Sequence, residues 1–308
     1  MSALYSRMTV LGCGLIGSSL LRAARRADLA TELVAYDLSP SVRTRVSELN
    51  LVNRVEATLE AAVAGADLVI IATPPAAIGV TAEAIAPNLA PGATLTDVGS
   101  AKQAVLEAFS AAVPVSVFAI PGHPIAGTEQ SGPDAGFADL FVGRWAILCP
   151  LDRPDAAYGE ATERLAEFWR RLGSQVETMD ARHHDLVLAV TSHLPHLIAY
   201  NIVGTAADLE EVTESEVMKF SAGGFRDFTR IAASDPIMWR DVFLLNKDAV
   251  LEILARFTED LQALSRAIRW GEGDKLEALF TRTRALRKGI VEAGQESAEP
   301  NFGRNRQP

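Results

Sequence analysis

The sequence predicts an α/β fold, with a doubly wound parallel sheet over residues 1–180, an all-α domain over 181–295 and a polar tail over 296–308. Three observations predict it. An apolar run, a glycine-rich turn and a helical pattern open the chain at residues 8–26. Apolar runs and helical patterns then alternate to about residue 180, and beyond that point strand signals almost cease. A chain of 308 residues has room for two domains of ordinary size, and 48% hydrophobic with 22% charged residues is a globular mix.

Met8-Thr9-Val10-Leu11 reads as a short buried strand, followed at once by Gly12-Cys13-Gly14-Leu15-Ile16-Gly17 and a helix from Ser18 to Arg26. In that strand–turn–helix setting G-x-G-x-x-G is the Rossmann-type dinucleotide fingerprint. Gly12 permits the tight turn, Gly14 lets a pyrophosphate approach the backbone, and Gly17 lets helix and strand pack closely. Leu15 and Ile16, inside the fingerprint, are expected to meet the cofactor with it, and the N-terminus of the helix that follows offers unpaired N–H groups and a positive dipole end to phosphates. A second strand, Glu32 to Tyr36, ends in Asp37. An acidic residue there accepts from a ribose diol and repels a 2′-phosphate, so NAD is favoured over NADP. Arg43 and Arg45 lie downstream and could meet a 2′-phosphate, which keeps NADP possible.

The alternation continues. Asp67 to Ala72 is a parallel-type strand ending in Thr73-Pro74-Pro75, a loop expected over the nucleotide. Ala93 to Asp97 is another, and Ser100 follows it, either as a ligand-facing residue or as the N-cap of the helix Gln103–Ala111. Val115 to Ile120 reads as a strand whose end leads into Gly122-His-Pro-Ile-Ala-Gly-Thr-Glu-Gln-Ser-Gly132. That stretch is too rich in glycine and proline for a helix and too polar for a buried strand, so it predicts a loop. It places His123, Thr128 and Glu129 where parallel sheets bind ligands. Strands at Trp145–Cys149 and Gln175–Met179 flank a helix from Ala156 to Leu172.

From Ala181 to Ala206 a long helical pattern contains Ser192-His193-Leu194-Pro195-His196, and Pro195 predicts a kink. After a break at Gly223-Gly224 come Arg226 and Arg230, four apart, a pairing suited to carboxylates. Ser234-Asp235-Pro236 reads as a helix start, with the helix passing through Trp239 and Val242 toward Phe257. Thr258–Trp270 and Asp274–Ala293 complete the domain. Helices this apolar commonly form a homodimer.

A net charge of −10 and a pI near 5.1 argue against nucleic acid or an anionic membrane as partner. The two cysteines, Cys13 and Cys149, lack metal-type spacing, and no metal site is expected. Met1–Arg7 has no signal-peptide core, and no run of eighteen apolar residues is expected to span a membrane, which predicts a cytoplasmic protein.

Taken together, Gly122–Gly132, His193-Leu-Pro-His196, Asp97-Val-Gly-Ser100 and Gly223-Gly-Phe-Arg-Asp-Phe-Thr-Arg-Ile-Ala-Ala-Ser-Asp-Pro-Ile-Met-Trp239 resemble the prephenate/arogenate (cyclohexadienyl) dehydrogenase family of tyrosine biosynthesis, over about residues 8 to 295. The resemblance implies NAD(P)⁺-dependent oxidative decarboxylation of prephenate or arogenate, at a site between a Rossmann domain and a helical dimerisation domain. It implies that His123 meets the ring hydroxyl and that Ser100 positions His123 and the nicotinamide. It implies further that His196, Arg230 and Ser234 line the substrate pocket, Arg230 holding a carboxylate, with Thr128, Glu129, Asp227 and Trp239 close by. Some members carry a chorismate mutase domain in front or an ACT domain behind, and this sequence predicts neither. A β-hydroxyacid dehydrogenase, with Lys219 or Lys247 as its lysine, and a non-catalytic dinucleotide sensor are the competing readings. Neither lysine sits in a comparably dense polar motif, and a sensor would have no need of His123 with Arg230 and Ser234.

Overall fold

The structure is a computed structural model that describes residues 3–128, 130–210 and 223–292. Its first part alternates strand and helix: β1 (Tyr5–Leu11), α1 (Leu15–Arg26), β2 (Ala30–Tyr36), α2 (Pro40–Glu48), β3 (Arg54–Val55), α3 (Leu59–Val63), β4 (Leu68–Ile71), α4 (Ile78–Ile85), β5 (Thr94–Asp97), α5 (Gln103–Ala112) and β6 (Phe118–Ala119). These six strands form one parallel sheet in the order β3-β2-β1-β4-β5-β6. The order reverses between β1 and β4, and ligands of such sheets bind at that reversal, beyond the carboxyl ends of the strands. Alternation along β4 feeds both faces. Leu68 and Ile70 enter the core with Leu20, Leu21 and Trp169, whereas Val69 and Ile71 enter the one with Ile78 and Phe109.

A second, three-stranded sheet follows, and here the structure corrects the sequence. Gly122–His123–Pro124 is not a loop but a buried strand, β7, antiparallel to β8 (Trp145–Leu148); β8 in turn runs parallel to β9 (Gln175–Thr178). The chain changes sheets between Ile120, whose N–H donates to Leu95 O (2.8 Å), and Pro121, whose carbonyl accepts from Cys149 N (2.8 Å). Pro124 is tolerated because β7 is a short edge strand, so one missing donor breaks no central ladder. α6 (Ala156–Arg171) lies between β8 and β9 and packs Phe168 and Trp169 into the core.

The helices begin with α7 (Ala181–Leu188), capped by Asp180 accepting from His183 N (2.8 Å). A π turn at Ala189–His193 leads into α8 (Leu194–Glu210). The predicted distortion at Pro195 takes this form: the extra residue is absorbed just before the ring that cannot donate. The continuous helix 181–209 is long and apolar enough, by length and composition, to cross a membrane, contrary to expectation. It also buries His184, Asp185 and His193, polar groups that hydrogen-bond within the protein. Next come α9 (Gly223–Thr229), a 3₁₀ turn at Arg230–Ala233 and α10 (Pro236–Leu245), capped by Asp235 with Pro236 at its first position. α10 stops at Asn246 instead of running on to Phe257, and α11 (Lys247–Arg269) starts there.

The chain divides into two compact units, residues 1–251 and 252–308. In the second, the remainder of α11 turns at Gly271 (φ +68°) into α12 (Gly273–Glu292). The expected tail at 296–308 lies outside the described residues.

Candidate active site

The turn after β1 is built as its glycines require. Gly12 holds φ +96°, and a Cβ on it would meet Ala72 O at 2.6 Å; one on Gly17 would meet Gly12 O at 1.9 Å. A Cβ on Gly14 would find nothing within 4 Å, which leaves space beside the backbone. Gly14 precedes α1 without a side-chain cap, so the N–H groups at Leu15 and Ile16 receive no side-chain acceptor there. Across the reversal point, the Thr73 hydroxyl is buried with no hydrogen-bond partner, and Pro74 follows it exposed. Asp37 ends its strand with Oδ2 accepting from Cys13 N (2.8 Å) and Oδ1 from Ser39 N (2.9 Å). Each oxygen keeps a lone pair for a ligand hydroxyl. An open glycine turn, an uncapped helix start and an orphaned hydroxyl fit a dinucleotide. Of the two arginines, Arg45 is committed to Asp134 (2.6 Å) and Glu48 (2.9 Å). Arg43 rests on the carbonyls of Asp37 (2.6 Å) and Leu38 (3.1 Å).

Past β5, at the same carboxyl end of the sheet, a buried polar cluster gathers on His123. Its Nδ1 meets His184 Nε2 at 2.9 Å, and His184 Nδ1 meets Asp185 Oδ1 at 2.8 Å. The Asp185 carboxylate also accepts from the N–H groups that open α5, Lys102 (2.7 Å) and Gln103 (2.9 Å). Beside it the fully buried Lys102 ammonium bonds the Asp97 carboxylate and the Gly122 carbonyl (2.7 Å), and Asp97 accepts from Gly99 N and Gly122 N. The clip fixes β7 against the end of β5. Burial first, then the neighbouring His184, Lys102 and His193, hold the His123 pKa well below its usual value, so the imidazole is neutral.

A second group adjoins the first. Asn246 Nδ2 donates to Asp185 O (2.9 Å) and to His193 Nδ1 (3.0 Å). His193 is therefore protonated at Nε2, which is buried without a partner; burial lowers its pKa to about 4. His196 stacks on Trp239 at 3.6 Å between centroids, and the Trp239 indole N–H is likewise buried and unpaired. Burial is also the main cause lowering the His196 pKa, and Arg230 stands close enough for its charge to lower it further. One turn along α8 from His196, Tyr200 donates to the Ser234 carbonyl (2.7 Å).

The structure thus brings together His196, Arg230, Ser234 and Trp239, and the helical run that carries His196 also carries His184, the partner of His123. Thr128 is exposed beyond β7, where its hydroxyl accepts from Gln130 N (3.2 Å), and Asp227 is exposed on α9; neither enters the buried cluster. Glu129 lies outside the described residues, as does Lys219, while Lys247 is exposed at the start of α11. Ser100 is half-buried and does not cap α5; Asp185 does that from another element. His184, Asp185, Asp97, Lys102 and Asn246 carry no role in the sequence reading. The signal for the first two is a His-Asp pair directly before the apolar run Leu186–Val190.

A parallel sheet that ends in such a glycine turn, followed by helices bearing an arginine and paired histidines, defines a dinucleotide-binding protein. The family model described as prephenate dehydrogenase, nucleotide-binding domain, matches residues 20–178, and that of its dimerization domain matches residues 180–282. The chain is 40% identical to a cyclohexadienyl dehydrogenase of Zymomonas mobilis, over 93% of this chain and 96% of that one. It is 30% identical to the prephenate dehydrogenase of Bacillus subtilis, over 98% and 80%. Among solved structures, the prephenate dehydrogenase of Aquifex aeolicus, in complex with hydroxyphenyl propionate and NAD⁺, superimposes with a TM-score of 0.86 at 30% identity, covering 92% of this chain and 98% of that one. The arogenate dehydrogenase of Synechocystis gives 0.79 at 27%, covering 92% and 99%. The chain belongs to the prephenate dehydrogenase family.

Proposed function

We propose that this chain catalyses NAD(P)⁺-dependent oxidative decarboxylation of prephenate, arogenate or both, in tyrosine biosynthesis, with NAD⁺ the preferred nucleotide. The observation that carries the reading is the neutral, buried His123 beyond the sheet, in a chain whose helices pair His196 with Arg230. Gly12, Gly14, Leu15, Ile16, Gly17, Asp37, Thr73, Pro74 and Ser100 would hold the nucleotide, which supplies a hydride acceptor when bound. Asp37 supports NAD⁺, because its carboxylate welcomes a ribose diol, and Arg45 is already spent on Asp134. Arg43 sits beside Asp37 and supports some use of NADP⁺.

In this reading His123 accepts the proton of the C4 hydroxyl as that carbon is oxidised to the ketone. The electron pair of the C1–carboxylate bond then flows through the ring to the C4 oxygen, and CO₂ leaves. The same imidazolium returns its proton to the phenolate, so the step balances and the base is reset. Arg230 neutralises a substrate carboxylate, and His196, Ser234 and Trp239 shape the pocket; Thr128, Glu129 and Asp227 stand at its margin. We place the protein in the cytoplasm as a homodimer whose 181–295 region builds the pocket.

Mixing the protein with prephenate or arogenate and either nucleotide, and following nucleotide reduction, tests this reading. kcat/KM is expected to be higher with NAD⁺ than with NADP⁺. His123→Asn is expected to lower kcat by roughly 10²–10⁴ and to leave nucleotide binding nearly intact. An unchanged kcat would remove His123 from catalysis, and no reduction with either substrate would overturn the function.

A further inference from the structure

We propose that Asp185 and His184 are positioning residues that hold His123 as its Nδ1–H tautomer, presenting the lone pair of Nε2 to the substrate hydroxyl. The proposal rests on the reading of His123 as proton acceptor. Polarity fixes the chain of bonds. An ionised carboxylate can only accept, and the Asp185 oxygens already receive the N–H groups of Lys102 (2.7 Å) and Gln103 (2.9 Å), which favour that state. His184 Nδ1, 2.8 Å from Asp185 Oδ1, must therefore donate. A neutral His184 then has only a lone pair at Nε2, and His123 Nδ1, 2.9 Å away, must donate to it. Nε2 of His123 is left unprotonated.

The opposite polarity requires His184 to be doubly protonated and His123 to carry its proton at Nε2, where it could not act as a base. Several groups oppose or support that state. The Lys102 ammonium from the β5–α5 loop opposes it, as does the full burial of His184; Asp97 and Asp185 act the other way. Burial dominates, and the His184 pKa is lowered. His193, on the same helix, is itself neutral and is oriented by Asn246.

Three elements hold the relay. Asp185 sits on α7, caps α5, and its backbone carbonyl is held by Asn246 at the start of α11. A carboxylate and two imidazoles buried together are costly to desolvate, and α5 could be capped without either histidine. When Nε2 takes the substrate proton, Nδ1–H already points along a hydrogen-bonded line to the Asp185 carboxylate. That line stabilises the imidazolium without protonating the aspartate, as in the serine-protease triad, where inverting the tautomer lowers kcat about 10⁴-fold.

The test uses ¹⁵N-histidine-labelled full-length protein. In the wild type, imidazole nitrogen shifts are expected to show His123 protonated at Nδ1 and bare at Nε2; a bare Nδ1 would overturn the proposal without any variant. His184→Gln keeps one acceptor for His123 and one donor for Asp185. It should retain kcat with prephenate and NAD⁺ to within about tenfold. His184→Leu removes both and should lower kcat by about 10²-fold or more, with the KM for prephenate changed by less than about threefold and NAD⁺ still bound. If His184→Leu does not fold, the wild-type shifts and the glutamine variant still decide. Wild-type kcat in a folded His184→Leu, with His123→Asn inactive, would sink the relay and leave the base standing. Wild-type kcat in His123→Asn would sink the base itself.

Discussion

At the scale of single residues, this molecule keeps four of its histidines uncharged. His123, His184, His193 and His196 all have lowered pKa values, and burial is the first cause for each. A neutral imidazole can accept a proton, so the same burial that costs solvation equips His123 for its proposed role. Linkage gives the consequence for stability. A histidine that binds its proton less readily when folded than when unfolded stabilises the fold above its unfolded pKa, near 6.5, and loses that contribution as the pH falls. For His193 the window runs from about 6.5 down to about 4. The loss across it is roughly 3 kcal/mol, at 1.36 kcal/mol per unit. Urea titrations between pH 7 and pH 4 are expected to show falling stability, and His193→Gln should flatten the curve. A variant as acid-sensitive as the wild type would mean that His193 is not the group responsible.

At the scale of elements, β7 matters most, because its three residues carry His123 out of one sheet and into another. Nothing in Gly122-His-Pro124 has the apolar alternation of a strand. The backbone adopts one because the Asp97–Lys102 pair and the facing residues of β8 hold it there. Sequence periodicity reports long regular elements, so five strands of the parallel sheet, the glycine turn and the helical half were legible, whereas the two-residue β3 is too short to show and the pairing of β8 and β9 in a sheet of their own was not visible. Partners distant in sequence were not: His184 lies 61 residues from His123, and Asp185 lies 83 from Lys102. The break at Asn246 was hidden for the same reason. No glycine or proline marks it, and what uses the residue is its side chain's pair of bonds to α7 and His193. The clip itself can be tested. Lys102→Met leaves a buried Asp97 charge without its cation, which should cost roughly 3–5 kcal/mol. Asp97→Asn combined with Lys102→Met removes the charge and should recover part of that loss in urea denaturation. Equal stability of the single variant and the wild type would show that the pair does not hold β7.

At the scale of the whole molecule, the described helices leave apolar surface exposed. In the second compact unit Leu261, Ile268, Trp270, Phe280 and Leu286 are all at least 48% exposed, Trp270 the most at 74%. In the first unit Leu244 and Leu251 are at least 60% exposed. Surface on this scale marks an interaction site more often than a solvated face. A net charge of −10 does nothing to cover these side chains. A second copy of the same surface does, and twofold symmetry counts each buried side chain twice. Sedimentation equilibrium is therefore expected to give twice 33.0 kDa at micromolar concentration. Burial of one large apolar side chain contributes about 1.5–3 kcal/mol, so its loss from both copies costs roughly 3–6 kcal/mol, or about 10²–10⁴ in the dimer constant. Ile268→Glu with Phe280→Glu should weaken association by at least that factor and shift the mass toward a single chain. If the chains do pair to complete the pocket, kcat/KM for prephenate should fall with the dimer fraction and recover at high protein concentration. A monomeric wild type, or a fully dimeric double variant, would place the interface elsewhere.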